Sequence, residues 1–378
     1  MTALTAVASI MPAHASRTEI TYALRGQSLQ LPDFEQIYHD WPVSVSPHMD
    51  WLKCQVDNRI RWLLSQVPSS GVKDQRRKQK GLEGIDVGYL VSSWWPEAAP
   101  EVLCTLAYCA LWLFMWDDEI DGMNANLGSD LEAAQQYRDD TLRYVFEELG
   151  LATVDSAPTN MLITSFSDIA VPLSVKDRKQ RERFYEEIEY WIEATEVEQV
   201  RRSEPSLPSL HEYMEVRMGT SGVRVLCILY DILTGPTLES CQYMFSSGDL
   251  EATMAEDLEL LTDLTNVFIS VTNDVLSVKK ELAVGAPDST IPILWLESRD
   301  LTAAVDKVVR MLKTSRSLFD ETEQRLLGIC RMHGGNLFVE RYIAAMKSMN
   351  SGNVAWSMRC RRYGLDTLST GKGHIIVL

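Results

Sequence analysis

Between Val102 and Trp116 the chain carries no charged side chain, and then four of the next five residues, Asp117, Asp118, Glu119 and Asp121, are acidic. A segment apolar on every side has to sit at the centre of a fold. Carboxylates crowded against its end repel one another, and charge in an apolar setting is costly unless something neutralises it. A metal cation is the simplest neutraliser. On a helix, Asp117 and Asp121 share one face, with β-carbons roughly 5–6 Å apart. Ala110 and Leu113 precede them on that face and Phe114 flanks it, so one stripe runs from apolar lining to paired carboxylates. Hard oxygen donors of this kind suit Mg²⁺ or Mn²⁺. Taken alone, the same residues also read as an ordinary charged helix end.

The pattern is helical almost throughout. Spacing predicts helices over 102–121, 131–149, 177–202, 250–283, 301–329 and 337–349. Ser209 is the expected N-cap of the helix carrying "HEYMEVRM", "GTSG" (219–222) interrupts that helix, and "VRVLCILYDIL" resumes it. Strand alternation, hairpin dipeptides and internal repeats are not evident. The expectation is an all-α fold: one large helical bundle over 31–364 around an apolar cavity, with tails at 1–30 and 365–378. "HIIVL" at the end has the composition to pack on the body, and the pattern does not decide it.

The net charge of −17 argues against nucleic acid and anionic membranes as partners. An anionic substrate would then need local cations at its site. The seven cysteines are scattered, with no CxxC and no Cys/His cluster, which points to reduced thiols and a cytoplasmic protein. The N-terminus lacks a basic leader region and Pro12 interrupts its apolar run, so it reads as a mobile tail rather than a signal peptide. Residues 102–116 are too short to span a bilayer, which takes about 20 residues. No membrane insertion is expected, and the oligomeric state expected is monomer or homodimer.

Three further stretches carry chemistry. In "NDVLSVKKE", Asn273, Ser277 and Glu281 fall at i, i+4 and i+8, one stripe of oxygen donors on one helix. Their combined charge of minus one is weak for a dication, so this site should fill when a substrate brings its own negative charge. Lys280 beside it can meet that anion as a point charge. Arg217, just ahead of the "GTSG" break, is placed to meet a phosphate, although alone it reads more readily as a surface arginine before a loop. "NVAWSMRCRRYG" contributes Trp356, Arg362 and Tyr363, weak evidence in isolation.

In this order the four stretches resemble the terpene cyclases that ionise a prenyl diphosphate with metal, specifically the microbial, fungal-type sesquiterpene cyclases. "DDEID" is similar to their aspartate-rich motif, and "NDVLSVKKE" matches their N-D-x-x-S-x-x-K-E motif at every fixed position. Arg217 corresponds to the diphosphate-sensing arginine of the helix break, and Arg362-Tyr363 to the Arg-Tyr pair near the C-terminus. The resemblance spans roughly residues 50–365. It implies three Mg²⁺ ions, with Asp117 ligating two and Asn273, Ser277 and Glu281 holding the third; Asp121 is a further metal candidate, while Asp118 and Asp121 vary in that role within the family. It also implies diphosphate contacts from Arg217, Lys280, Arg362 and Tyr363. Two departures stand out. The interval from Arg217 to Asn273 is longer than in bacterial relatives, with "TGPTLESCQYMFSSGD" as the extra loop. Thr220 stands where those relatives often carry the aspartate that orients the sensing arginine.

The expected reaction is ionisation of farnesyl diphosphate, then carbocation cyclisation to a cyclic sesquiterpene hydrocarbon or alcohol. Phe114, Trp112, Phe268 and Trp356 are the candidates for lining the pocket and stabilising the cation, with core packing as the alternative role for each. A chain-elongating prenyltransferase would carry a second aspartate-rich motif, which this chain replaces with Asn/Ser/Glu. A diterpene cyclase acting on geranylgeranyl diphosphate, a metal-dependent phosphohydrolase and a non-catalytic prenyl-diphosphate-binding protein are the other readings to be separated.

Overall fold

A computed structural model of the chain describes residues 15–66, 72–121, 127–153, 158–235, 248–332, 337–365 and 374–378. The helices run in the order α1 (Arg17–Leu24), α2 (Phe34–Ile37), α3 (Met49–Gln66), α4 (Val72–Ile85), α5 (Val87–Trp94), α6 (Pro100–Asp121), α7 (Leu131–Glu148), α8 (Met161–Thr164), α9 (Ser167–Ala170), α10 (Arg178–Arg202), α11 (Leu210–Thr220), α12 (Val223–Thr234), α13 (Gly248–Val284), α14 (Thr290–Ser298), α15 (Leu301–Met332) and α16 (Leu337–Arg359). The one sheet among the described residues is a ribbon of two short strands, β1 (Ser28–Gln30) and β2 (Ile375–Val377), paired antiparallel.

Helix α6 is the central element its composition demands. It packs on α3, α5, α8, α9 and α12, and Leu106, Ala107, Cys109, Ala110, Leu111 and Trp116 are fully buried. Its Trp112 and Trp116 both meet Trp191 of α10 at ring distances of 5.8 and 4.6 Å. Local signals set the helix ends. Asp177 and Ser209 each close a capping box at the start of α10 and α11, satisfying backbone donors that the first turn leaves open. Gly285 ends α13 at φ 81°, the left-handed conformation a helix C-terminus favours.

Two expectations are corrected. The last helix does not stop at Met349 but continues to Arg359 through "NSGN", a string that reads as a turn. Tertiary packing overrides that local preference. Ser351 donates to the Pro42 carbonyl, and Gly352 lets α16 approach α5 so closely that a β-carbon there would lie 2.7 Å from the Ser93 carbonyl oxygen. The tails are also shorter than expected. Residues 17–24 form α1, with a Ser16 capping box, and 28–30 pair with 375–377, burying Leu29 against Ile376. Arg17 ties α1 to the body: it donates to both Asp288 carboxylate oxygens and to the carbonyls of Arg201 and Glu204. Arg25 reaches the Leu282 and Ala283 carbonyls at the end of α13. Residues 1–14 and 366–373 lie outside the described residues, as do 236–247, where most of the expected extra loop falls.

None of the described cysteines forms a disulfide; Cys241 lies outside that set. Among the described residues no helix is long and apolar enough to cross a membrane.

Candidate active site

The break between α11 and α12 is the first piece of the site. Gly222 takes φ 66°, a left-handed conformation that glycine adopts without the steric cost a side chain would bring. A β-carbon there would come within 3.4 Å of Leu113 Cδ1. The break therefore lies beside the apolar stripe of α6, four residues before Asp117. Thr220 Oγ1 is buried there with no partner, so it orients nothing in the way the aspartate of bacterial relatives was expected to. That work falls to Asp274. Arg217 Nε donates to Asp274 Oδ1 at 3.0 Å and its Nη2 to Asn273 Oδ1 at 2.9 Å. Tyr213 Oη donates to Asp274 Oδ2 at 2.8 Å, and the Thr290 amide and hydroxyl donate to the same oxygen at 3.2 and 2.5 Å. Burial opposes charge on Arg217, and the Asp274 carboxylate more than offsets it, raising the guanidinium above its ordinary pKa.

The second piece is the stripe on α13. Ser277 Oγ donates to Glu281 Oε1 at 2.5 Å, while Glu281 Oε2 is buried with no hydrogen-bond partner. Burial and the nearby Asp274 charge push the Glu281 carboxyl up to about 7, against the pull of Ser277, Lys280 and Arg217. A buried carboxylate oxygen left without a donor, beside a hydroxyl and on one helix stripe with an amide carbonyl, is a set of hard donors that fits a divalent cation.

The third piece joins the other two. Arg362 Nη2 donates to Asp118 Oδ1 at 3.0 Å, and its guanidinium carbon lies 5.3 Å from the Phe114 ring centroid. The next residue, Tyr363, accepts at its hydroxyl from Asn273 Nδ2 at 2.6 Å. Two consecutive residues thus touch the aspartate-rich end of α6 and the Asn/Ser/Glu stripe of α13. With neighbouring Cα atoms only about 3.8 Å apart, the two motifs lie at the same end of the bundle. Burial disfavours the Arg362 charge, but Asp118 and Asp117 outweigh it and its pKa is raised. Trp356 completes the group, its ring 5.6 Å from Tyr363 and 6.0 Å from Phe114, with its indole N–H fixed on the Ile85 carbonyl at 2.6 Å.

Asp117 is half-buried at the end of α6, and Lys280 is half-buried beside Glu281. The Asp121 side chain lies outside the described residues. Among those described, no three His, Cys, Asp or Glu side chains converge as a metal site by themselves; the donors that come together are of mixed type. Two of the expected pocket aromatics do not join the group. Trp112 faces α8 and α10, donating to the Leu162 carbonyl at 3.0 Å and packing on Phe166 and Trp191. Phe268 sits about 140° around its helix from Asn273, in a cluster with Tyr38, Trp41 and Phe319. Both are core residues. Conversely, Asp274 and Tyr213 were given no role by sequence reasoning. The only available signals were an aspartate on the buried side of its motif and a tyrosine one turn before Arg217.

Arg217 lies against the Asn/Ser/Glu stripe and Arg362 against the acidic end of α6, an arrangement on an all-α bundle that suits an enzyme handling a hard dication and a phosphorylated anion. Residues 108–317 match the model of terpene synthase family 2, C-terminal metal binding, and the chain belongs to that family. The matched region contains Asp117, Arg217 and the whole Asn273–Glu281 stripe, and the enzyme is a metal-dependent terpene synthase acting on a prenyl diphosphate. The chain is 29% identical to sesquiterpene cyclase hepA of Aspergillus oryzae, with 96% of each chain covered. It is 27% identical to isoafricanol synthase of Streptomyces violaceusniger, over 96% of this chain and 92% of that one. Its fold is similar to hedycaryol synthase in complex with nerolidol, with a TM-score of 0.65 at 16% identity, covering 86% of this chain and 99% of the other.

Proposed function

We propose that the protein is a sesquiterpene cyclase that ionises farnesyl diphosphate with three Mg²⁺ ions and cyclises the resulting allylic cation. The observation that carries this reading is the Arg362–Tyr363 pair, which touches Asp118 on one side and Asn273 on the other. Asp117 and, on the second helix, Asn273, Ser277 and Glu281 would hold the metal. When bound, Mg²⁺ neutralises the charge that develops on the departing diphosphate and so lowers the ionisation barrier.

The protein's own residues do the rest. Arg217, Lys280 and Arg362 present positive charge to the diphosphate, and the Tyr363 hydroxyl lies beside them. Arg217 spends its charge on Asn273 and Asp274 in this structure, so an arriving diphosphate competes for a guanidinium that is already positioned. The rings of Phe114, Trp356 and Tyr363 cluster at the same end of the bundle. Each can stabilise a nearby cation by roughly 0.5–2 kcal/mol, and together they keep water from it. The relatives named above include a fungal sesquiterpene cyclase matched along nearly the whole chain, which favours the fifteen-carbon substrate; a cytoplasmic location accords with the reduced thiols.

The test is incubation of the purified protein and Mg²⁺ with farnesyl or geranylgeranyl diphosphate, with volatile products resolved by gas chromatography and mass spectrometry. Cyclic products from farnesyl diphosphate are expected. Farnesol alone would identify a hydrolase, and cyclic products confined to geranylgeranyl diphosphate would identify a diterpene cyclase. Asp117→Ala should abolish turnover and Asn273→Ala should nearly do so; wild-type rates in both would remove the metal assignment.

A further inference from the structure

The polar stripe of α13 does not begin at Asn273. Asn266 and Ser270 extend it two turns towards the N-terminus, at spacings of four, three, four and four residues down to Glu281, one face of one helix. Both are fully buried. Asn266 Nδ2 donates to the Met218 carbonyl at 2.7 Å, and its Oδ1 accepts from Ser221 Oγ at 2.6 Å and from Ser270 Oγ at 3.2 Å. Met218 and Ser221 bracket the break between α11 and α12, where the helix ladder is interrupted and backbone groups need other partners. Ser221 Oγ in turn caps the Val223 amide at 3.2 Å, the first residue of α12. One amide side chain thus holds both lips of the break.

We propose that Asn266 is a positioning residue for ionisation: it fixes the helix break, and through it the place of Arg217, to the same helix face that carries Asn273, Ser277 and Glu281. Met218 directly follows Arg217, so the Asn266–Met218 bond and the Arg217–Asn273 bond pin adjacent residues to points two turns apart on α13. The sensing arginine and the metal stripe then move as one unit. Without Asn266, Arg217 can still reach diphosphate, but from a backbone free to shift. That loss falls on the reacting geometry more than on binding.

This inference rests on the diphosphate reading above, and the experiment separates the two. The wild type should gain thermal stability from Mg²⁺ with inorganic diphosphate; no gain would overturn the diphosphate reading itself. Given that gain, Asn266→Leu should keep most of it and lose kcat by about 30-fold or more with KM changed by less than about 3-fold. Ser270→Ala, which leaves the Met218 bond in place, should stay within about 3-fold of wild type. Wild-type-like kcat in Asn266→Leu, or a loss carried by KM instead of kcat, would overturn the inference.

Should Asn266→Leu fail to fold, Asn266→Asp decides. Its carboxyl, when protonated, can still donate to the Met218 carbonyl; ionised, it sets a negative charge against that oxygen. The charged groups lining the adjoining recess are Glu186, Glu187, Asp263 and Arg224, with Tyr190 among them. Burial and the acidic excess raise the carboxyl of this variant. The ratio of variant to wild-type kcat should therefore fall as pH rises between about pH 6 and pH 9. A ratio flat with pH would overturn the proposal.

Discussion

Asp274 takes four hydrogen bonds on two oxygens, from Arg217, Tyr213 and twice from Thr290, while nearly out of contact with solvent. A buried carboxylate so placed costs several kcal/mol to desolvate and persists because its partners are charged or well aligned. Removing its charge while keeping its shape should leave Arg217 aimed only by Asn273. Asp274→Asn is expected to cut kcat by about 10–100-fold and to lower stability by about 1–3 kcal/mol, read by steady-state kinetics and denaturant unfolding. An unchanged rate would show that Arg217 needs no such anchor. The residues that sequence reasoning located are those whose chemistry shows in type and spacing together. Carboxylates at i, i+4 and oxygen donors at i, i+4, i+8 define a helix face without any knowledge of the neighbours. Trp112 and Phe268 stood open between pocket and core because an aromatic among many apolar neighbours carries no information about which of the two it faces. Asp274 and Asn266 were unassigned for a related reason: what a polar side chain does depends on partners far away in the chain.

Elements obey the same distinction. The Ser209 cap, the glycine of the break and the end of α13 are local devices, and they lie where the pattern put them. The continuation of α16 is a long-range effect, decided by how α5 receives it. Gly352 is the contact point, and any side chain there meets the Ser93 backbone rather than a movable side chain. Gly352→Ala should gain a little helix propensity, about 1 kcal/mol, and lose more to the clash, for a net destabilisation of about 1–2 kcal/mol. Because α16 leads into Arg362 and Tyr363, product yield should fall along with the unfolding midpoint. A variant as stable as wild type would mean that the two helices can separate without cost.

At the scale of the molecule, the site is assembled from segments far apart in sequence: α6, the α11–α12 break, α13 and the turn after α16. None of them makes it alone. The ribbon of β1 and β2 and the grip of Arg17 and Arg25 on the loops around α13 and α14 bring the N-terminal segment into that assembly, although its composition reads as a tail. Three-residue strands offer too little alternation to be recognised, and pairing across the length of a chain is not written in either partner. Deleting residues 374–378 should lower the thermal midpoint by a few degrees and reduce turnover more than it reduces the folded fraction, measured by calorimetry and by rate per folded molecule. Equal losses in both would make the ribbon a stabilising element only.

That pairing also has a consequence in time. Ser28–Gln30 emerges from the ribosome early, and the strand it needs is translated roughly 20–70 s later at ordinary elongation rates. Throughout synthesis Leu29 must therefore stay in water or borrow another edge, so the nascent enzyme passes through a long interval in which its first strand is available to strangers.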